Sequence, residues 1–153
     1  MISRFGWAGV VLGIAAMFLA GCGRNTTVTV VDDPRLEAEF AAVLTDGQTR
    51  TLGEVAQVAD LGEATWERMY YFRVPMLANE VNRVLDTPGL VWEGLPAEGS
   101  AGLIVFMSEG AVVHAVSDRA PALALSGFAT ADSVVSPADL GGYARIGVES
   151  KGG

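Results

Sequence analysis

A chain of 153 residues has room for one ordinary domain and not two, and a composition that is half hydrophobic excludes a disordered chain. Eighteen acidic residues oppose ten basic ones, Lys151 is the single lysine, and Lys and Arg form no run. Such a surface repels phosphate backbones and disfavours both nucleic-acid binding and electrostatic adhesion to anionic lipid, while it serves solubility.

The chain opens with Arg4 as its first charge, followed by an apolar run from Phe5 to Ala20. That run is shorter than the roughly 20 residues of a spanning helix and suits the hydrophobic region of a signal peptide. It ends in Leu19-Ala20-Gly21-Cys22. This quartet resembles the lipobox of bacterial lipoproteins, an aliphatic residue and two small ones before a cysteine. Small residues admit the chain to a membrane-embedded peptidase, and the thiol is the nearby nucleophile suited to a diacylglyceryl thioether. Cys22 is also the only cysteine, so it has no internal disulfide partner, and an orphan thiol in an exported chain needs such an explanation. An uncleaved N-terminal anchor, or a chance Ala-Gly-Cys after an ordinary signal, are the alternatives. The expectation is a signal peptide over residues 1–21, recognised through Leu19, Ala20 and Gly21. Lipid then sits on Cys22, at about 0.8 kcal/mol per buried methylene.

Residues 22–33 read as a lipidated tether, whose Thr27-Val28-Thr29-Val30-Val31 alternates like an edge strand. A globular domain is expected over 34–150. Asp33-Pro34 has the form of an N-cap followed by proline in the first turn, and Leu36, Phe40, Val43 and Leu44 form an amphipathic stripe that Gly47 stops. Thr51 and Glu54 have capping-box spacing before Leu52, Val55 and Val58, and Gly62 closes that segment. The aromatic-rich stretch Thr65–Phe72 predicts a strand with Trp66, Tyr70 and Phe72 on one face. Pro75 then starts a helix with Leu77, Val81, Val84 and Leu85 as its apolar stripe, ended by Pro88-Gly89. Two β-rich runs around Glu109-Gly110 predict a tight hairpin. With a two-residue turn, Leu103, Val105, Met107, Val112, His114 and Val116 share one face, and Ile104, Phe106, Val113 and Ala115 the other. Both faces are apolar, so the hairpin is expected to be covered on both sides or covered by an oligomer. Farther on, Ser136-Pro137 predicts the cap of a helical turn and Tyr143–Val148 a last strand. The order predicts an α+β fold after the signal peptide: a small single domain, with an antiparallel sheet and two or three helices.

Three of these segments resemble small uncharacterised bacterial lipoproteins in which a Trp-Asp-Arg-type strand precedes a short helix and a hairpin. They are Trp66-Glu67-Arg68-Met69-Tyr70-Tyr71-Phe72, the helix carrying Asn82 and Leu85, and the Leu103-Ile104-Val105-Phe106…Gly110-Ala111-Val112-Val113 hairpin. The resemblance covers roughly residues 52–117 and implies architecture only.

Chemistry-bearing patterns are sparse. With Cys22 acylated and His114 the only histidine, a zinc ligand set is lacking, and Asp32-Asp33 alone is no calcium loop. Gly141-Gly142 is a turn and not a phosphate cradle, and Ser126 lacks the flanking glycines of a nucleophile elbow. No metal or cofactor is expected. His114 reads as a core or boundary histidine, the alternative being a general base for Ser100, Ser108 or Ser126. Trp66, Arg68 and Tyr70 are the candidate partner or ligand surface. The leading expectation is a non-enzymatic module, anchored to a membrane by lipid on its extracytoplasmic face and bound to an envelope protein. A small-ligand carrier with an aromatic-lined groove and a hydrolase using His114 are the alternatives.

Overall fold

A computed structural model describes residues 26–119 and 121–152; Leu19, Ala20, Gly21 and Cys22 lie outside the described residues. The fold is α+β. In chain order the elements are β1 (Thr27–Thr29), α1 (Pro34–Asp46), β2 (Arg50–Thr51), α2 (Leu52–Gln57), a 3₁₀ turn (Glu63–Thr65), β3 (Arg68–Arg73), α3 (Ala78–Leu85) and β4 (Val91–Glu93). There follow β5 (Gly102–Ser108), β6 (Ala111–Asp118), β7 (Leu123–Ala124), β8 (Phe128–Ala129), β9 (Val134–Leu140) and β10 (Tyr143–Val148).

A four-stranded antiparallel sheet, β6-β5-β3-β8, lies at the centre. One of its faces contributes Met69, Ile104, Phe106 and Val116 to a core shared with Leu36, Phe40 and Val43 of α1 and Leu52 and Val55 of α2. Val135, Ile146 and Val148 close that core from a second sheet, β2-β9-β10-β7. The opposite face sets Leu103, Val105, Met107 and Ala115 against Val81 and Leu85 of α3, with Val28, Val30 and Trp92 packed around them. The central hairpin is thus covered on both sides within one chain.

Local chemistry explains the helix ends. Asp33 Oδ1 accepts from Arg35 N and Leu36 N at 3.1 and 3.2 Å, and Gly47 leaves α1 in the left-handed conformation that glycine adopts without strain. Thr51 and Glu54 form the reciprocal capping box at the start of α2. Within the expected Thr27–Val31 stretch, Thr27–Thr29 is a strand paired in parallel with β4, and Val28 and Val30 pack into the second core. Val31 continues to a parallel bridge with Val116.

Several expectations are corrected. The turn has two residues, Glu109 and Gly110, both at positive φ, as a twisted hairpin requires. Pairing of Phe106 with His114 and of Met107 with Val112, however, leaves Val113 without an opposite residue. This one-residue bulge inverts the faces beyond it. His114 and Val116 therefore join Ile104 and Phe106, while Ala115 joins Leu103 and Val105. The third helix starts at Ala78 and not at Pro75. Of its expected stripe only Val81 and Leu85 are buried, whereas Leu77 is 62% and Val84 47% exposed. Two buried positions suffice because β1 and β4 cover the rest of that face. Ser136-Pro137 caps no helix; Pro137 sits inside β9, opposite Ile146. Strand β2 reaches only Val134 and Val135, so Pro137 lies on a free edge where its missing N–H costs no ladder bond. Strand β10 is formed as expected.

At the end of the central sheet away from the Glu109-Gly110 turn, the Tyr71 hydroxyl donates to Asp118 Oδ2 at 2.8 Å, with both residues buried. Burial, more than the adjacent carboxylate, holds the phenol proton well above its ordinary range. Gly102 makes room for this pair: a Cβ there would lie 2.6 Å from the Tyr71 hydroxyl.

Two substitutions test the two cores. In a chain beginning at Gly23, Val81→Asp should cost about 3 kcal/mol or more by placing a charge among Leu103, Val105 and Met107. Val84→Lys on the same helix should stay within about 0.5 kcal/mol; denaturant melts that ranked them in the opposite order would place α3 wrongly. Tyr71→Phe removes a donor from buried Asp118 and should cost about 1–3 kcal/mol with the fold retained; an unchanged melting midpoint would contradict the brace.

Candidate functional site

Alternation along β3 sends Met69 into the first core and Tyr70 and Phe72 to the other face. Tyr70 and Phe72 stack with centroids 6.5 Å apart and an interplanar angle of 16°. Tyr70 also meets Phe128, directly opposite it on β8, at 6.0 Å. The Arg68 guanidinium lies 4.5 Å above the Phe128 ring, a cation–π contact. Phe128 is fixed from its other side, since its N–H donates to Gly152 O and its carbonyl accepts from Lys151 N. The result is a half-exposed row, Phe72-Tyr70-Phe128, capped by an exposed arginine that no carboxylate pairs with among the described residues.

Of the three residues named from the sequence, Arg68 and Tyr70 belong to this row and Trp66 does not. Trp66 precedes β3 and follows the 3₁₀ turn, so strand alternation does not reach it. It is 2% exposed and packs edge-on against Phe106 in the first core, centroids 5.0 Å apart. Its indole N–H donates to Leu61 O at 3.4 Å. Phe128 was not among the sequence candidates, because only the long-range pairing of β8 with β3 places it beside Tyr70.

Beside the row, Glu67, Arg68, Tyr70, Leu85, Met107 and Gly110 line a groove of about 200 Å³. Glu67 is engaged there: its carboxylate accepts from Glu109 N at 3.1 Å and ties the start of β3 to the hairpin turn. The groove is smaller than the 300–1,000 Å³ of ordinary ligand pockets.

The bulge at Val113 turns His114 towards α1. Its Nε2 lies 4.0 Å from Oδ2 of Asp33, the residue that caps that helix, and this nitrogen is buried without a hydrogen-bond partner among the described residues. No serine among the described residues hydrogen-bonds to it. Desolvation lowers the imidazole pKa below its ordinary value, and the Asp33 charge only partly offsets this. His114 thus lies at the boundary of the first core, 25% exposed, beside Phe106 and Asp33 and on the face opposite Leu103 and Val105. No group of three or more His, Cys, Asp or Glu among the described residues is placed to hold a metal ion.

A histidine whose folded pKa is depressed contributes stability that is fully present above its unfolded value of about 6.5 and declines as pH falls through and below that value. Denaturant melts should therefore weaken as pH falls below about 6.5, and His114→Phe should flatten that slope. A stability that instead rose with acidification would mean that Asp33 binds the imidazolium tightly enough to reverse the shift.

No protein-family model matches the chain, and no curated protein or solved structure matches it either.

Proposed function

We propose that this chain is a lipoprotein whose folded domain is held on the extracytoplasmic face of a membrane and binds another envelope protein there. The anchor reading is carried by Leu19-Ala20-Gly21-Cys22 at the end of an apolar run, with the chain's single cysteine at the acceptor position. No helix among the described residues is long and apolar enough to cross a membrane, so membrane attachment in this reading rests on the acyl chains.

The protein-binding half of the reading is supported by the Arg68–Phe128–Tyr70–Phe72 row. Aromatic rings and arginine are the side chains that concentrate binding energy at protein interfaces. Here ring stacking and the cation–π contact already restrain the side chains, which limits the entropy lost on contact. An aromatic-lined carrier would need a cavity larger than the groove beside this row, and a hydrolase would need a nucleophile at His114 Nε2, which has no hydrogen-bond partner among the described residues.

In cells fed a clickable fatty acid, the wild type should be labelled and Cys22→Ala should accumulate as an unlabelled, full-length precursor. Equal labelling of both would sink the anchor. Photocrosslinking residues in place of Arg68 or Tyr70 should capture a partner of one discrete mass that the same probe at Ala38, exposed on α1, does not. Identical adducts from all three positions would remove the row as the interface.

A further inference from the structure

We propose that the domain stands on the bilayer with the end bearing the Glu109-Gly110 turn against the lipid headgroups, an inference that rests on acylation of Cys22. Fully extended, the chain from Cys22 to Thr27 spans at most about 18 Å. The start of β1 therefore lies within that distance of the point where the acyl chains enter the membrane.

Strand pairing says what else lies at that level. Thr26 O accepts from Val91 N, and Thr27 pairs with Val91, so β1 and β4 begin together. Val31 then bridges Val116 in parallel, which means that β1 climbs alongside β6 in the direction of β6. Its start is accordingly level with the start of β6, next to the hairpin turn. Across the sheet, Arg68 pairs with Met107 at the same end of β5. Leu85, the last residue of α3, lines the groove with Met107, Gly110 and Arg68, so the connection from α3 to β4 also crosses this end. Four segments distant in sequence converge there: Thr26-Thr27, Glu67-Arg68, the last turn of α3 from Arg83 on to Val91, and Ser108 to Ala111. The opposite end, with Arg73, Gly102 and Asp118, stands a strand length away, about 20 Å.

The converging segments fit a zwitterionic headgroup layer. Arg68 and Arg83 present guanidinium groups without carboxylate partners among the described residues, suited to lipid phosphates. Three carboxylates, Glu67, Asp86 and Glu109, outnumber these two guanidinium groups, so the end has no strong attraction for an anionic leaflet. Val84 and Val91 are exposed beside these charges and add apolar contact.

The orientation is tested with the acylated full chain in phosphatidylcholine vesicles containing a headgroup nitroxide lipid. A fluorophore goes on a single added cysteine, Ala111→Cys, Val91→Cys or Ser100→Cys; Cys22 is blocked as a thioether and takes none. Labels at 111 and 91 should be strongly quenched and a label at 100 only weakly. Should Ala111→Cys or Val91→Cys not fold, Glu109→Cys replaces it at the same end, and Arg73→Cys replaces Ser100→Cys at the opposite end. Equal quenching at both ends, or stronger quenching at 100, would overturn the orientation while leaving the anchor intact. A protein mass without acyl chains on Cys22 would overturn the anchor and the orientation together.

Discussion

Every residue of β5 from Leu103 to Met107 is buried, and a strand in that position must be covered on both faces. Much of the architecture follows from that requirement. One cover is helical and brings a second sheet behind it, through Phe40 of α1 and Ile146 of β10. The other is thin: one short helix with two buried side chains, and two three-residue strands. Asn82 sews this thin cover together. It donates to Leu90 O at 2.8 Å and accepts from the Trp92 indole at 2.7 Å. Without those bonds Trp92 would bring an unmet N–H into a largely apolar contact.

The thinness of that cover also explains where the aromatic row is. α3 and the β1–β4 pair leave the flank over β3 and β8 uncovered, so Tyr70, Phe72 and Phe128 remain half exposed while their neighbours across β3 are sealed. Arg68 lies at the lower end of this row if the domain stands on its hairpin turn. A partner that docks on the row would then meet it at headgroup level, which favours a protein that is itself in or on the membrane.

Local signals in the sequence were faithful wherever the physics is local. The Asp33 cap, the Thr51–Glu54 box and the Glu109-Gly110 turn satisfy backbone groups within a few residues, and each stands where its residues pointed. Periodicity was less reliable because it reports hydrophobicity and not cover: Val84 has the spacing of a buried residue and faces solvent. The inverted face of His114 was illegible, since a bulge at Val113 is a property of two strands in register and not of either one. Pro137 misled for the same reason. Ser-Pro has the form of a helix cap, and only a neighbouring strand that stops short of Pro137 leaves it room inside a sheet. In the candidate surface, Arg68 and Tyr70 were visible as an aromatic and cationic run. Phe128 entered only through a pairing across more than fifty residues, and Trp66 fell to the other core because the strand begins after it.

The parallel pairing of β1 has a mechanical side. In a chain held by its N-terminus, tension enters the domain at Thr27 and runs along the axis of β1. The bonds that resist it are those to β4 and, through Val31, those to β6: Val30 N to Glu93 O, Val31 N to Ala115 O and Ser117 N to Val31 O. They lie across the line of pull, so they share the load in shear and do not peel apart one after another. Val28 and Val30 would have to slide out of their packing at the same moment. If Cys22 carries the proposed anchor, a pull on it would therefore grip the domain by its interior and be passed to the central sheet and not to a fraying end.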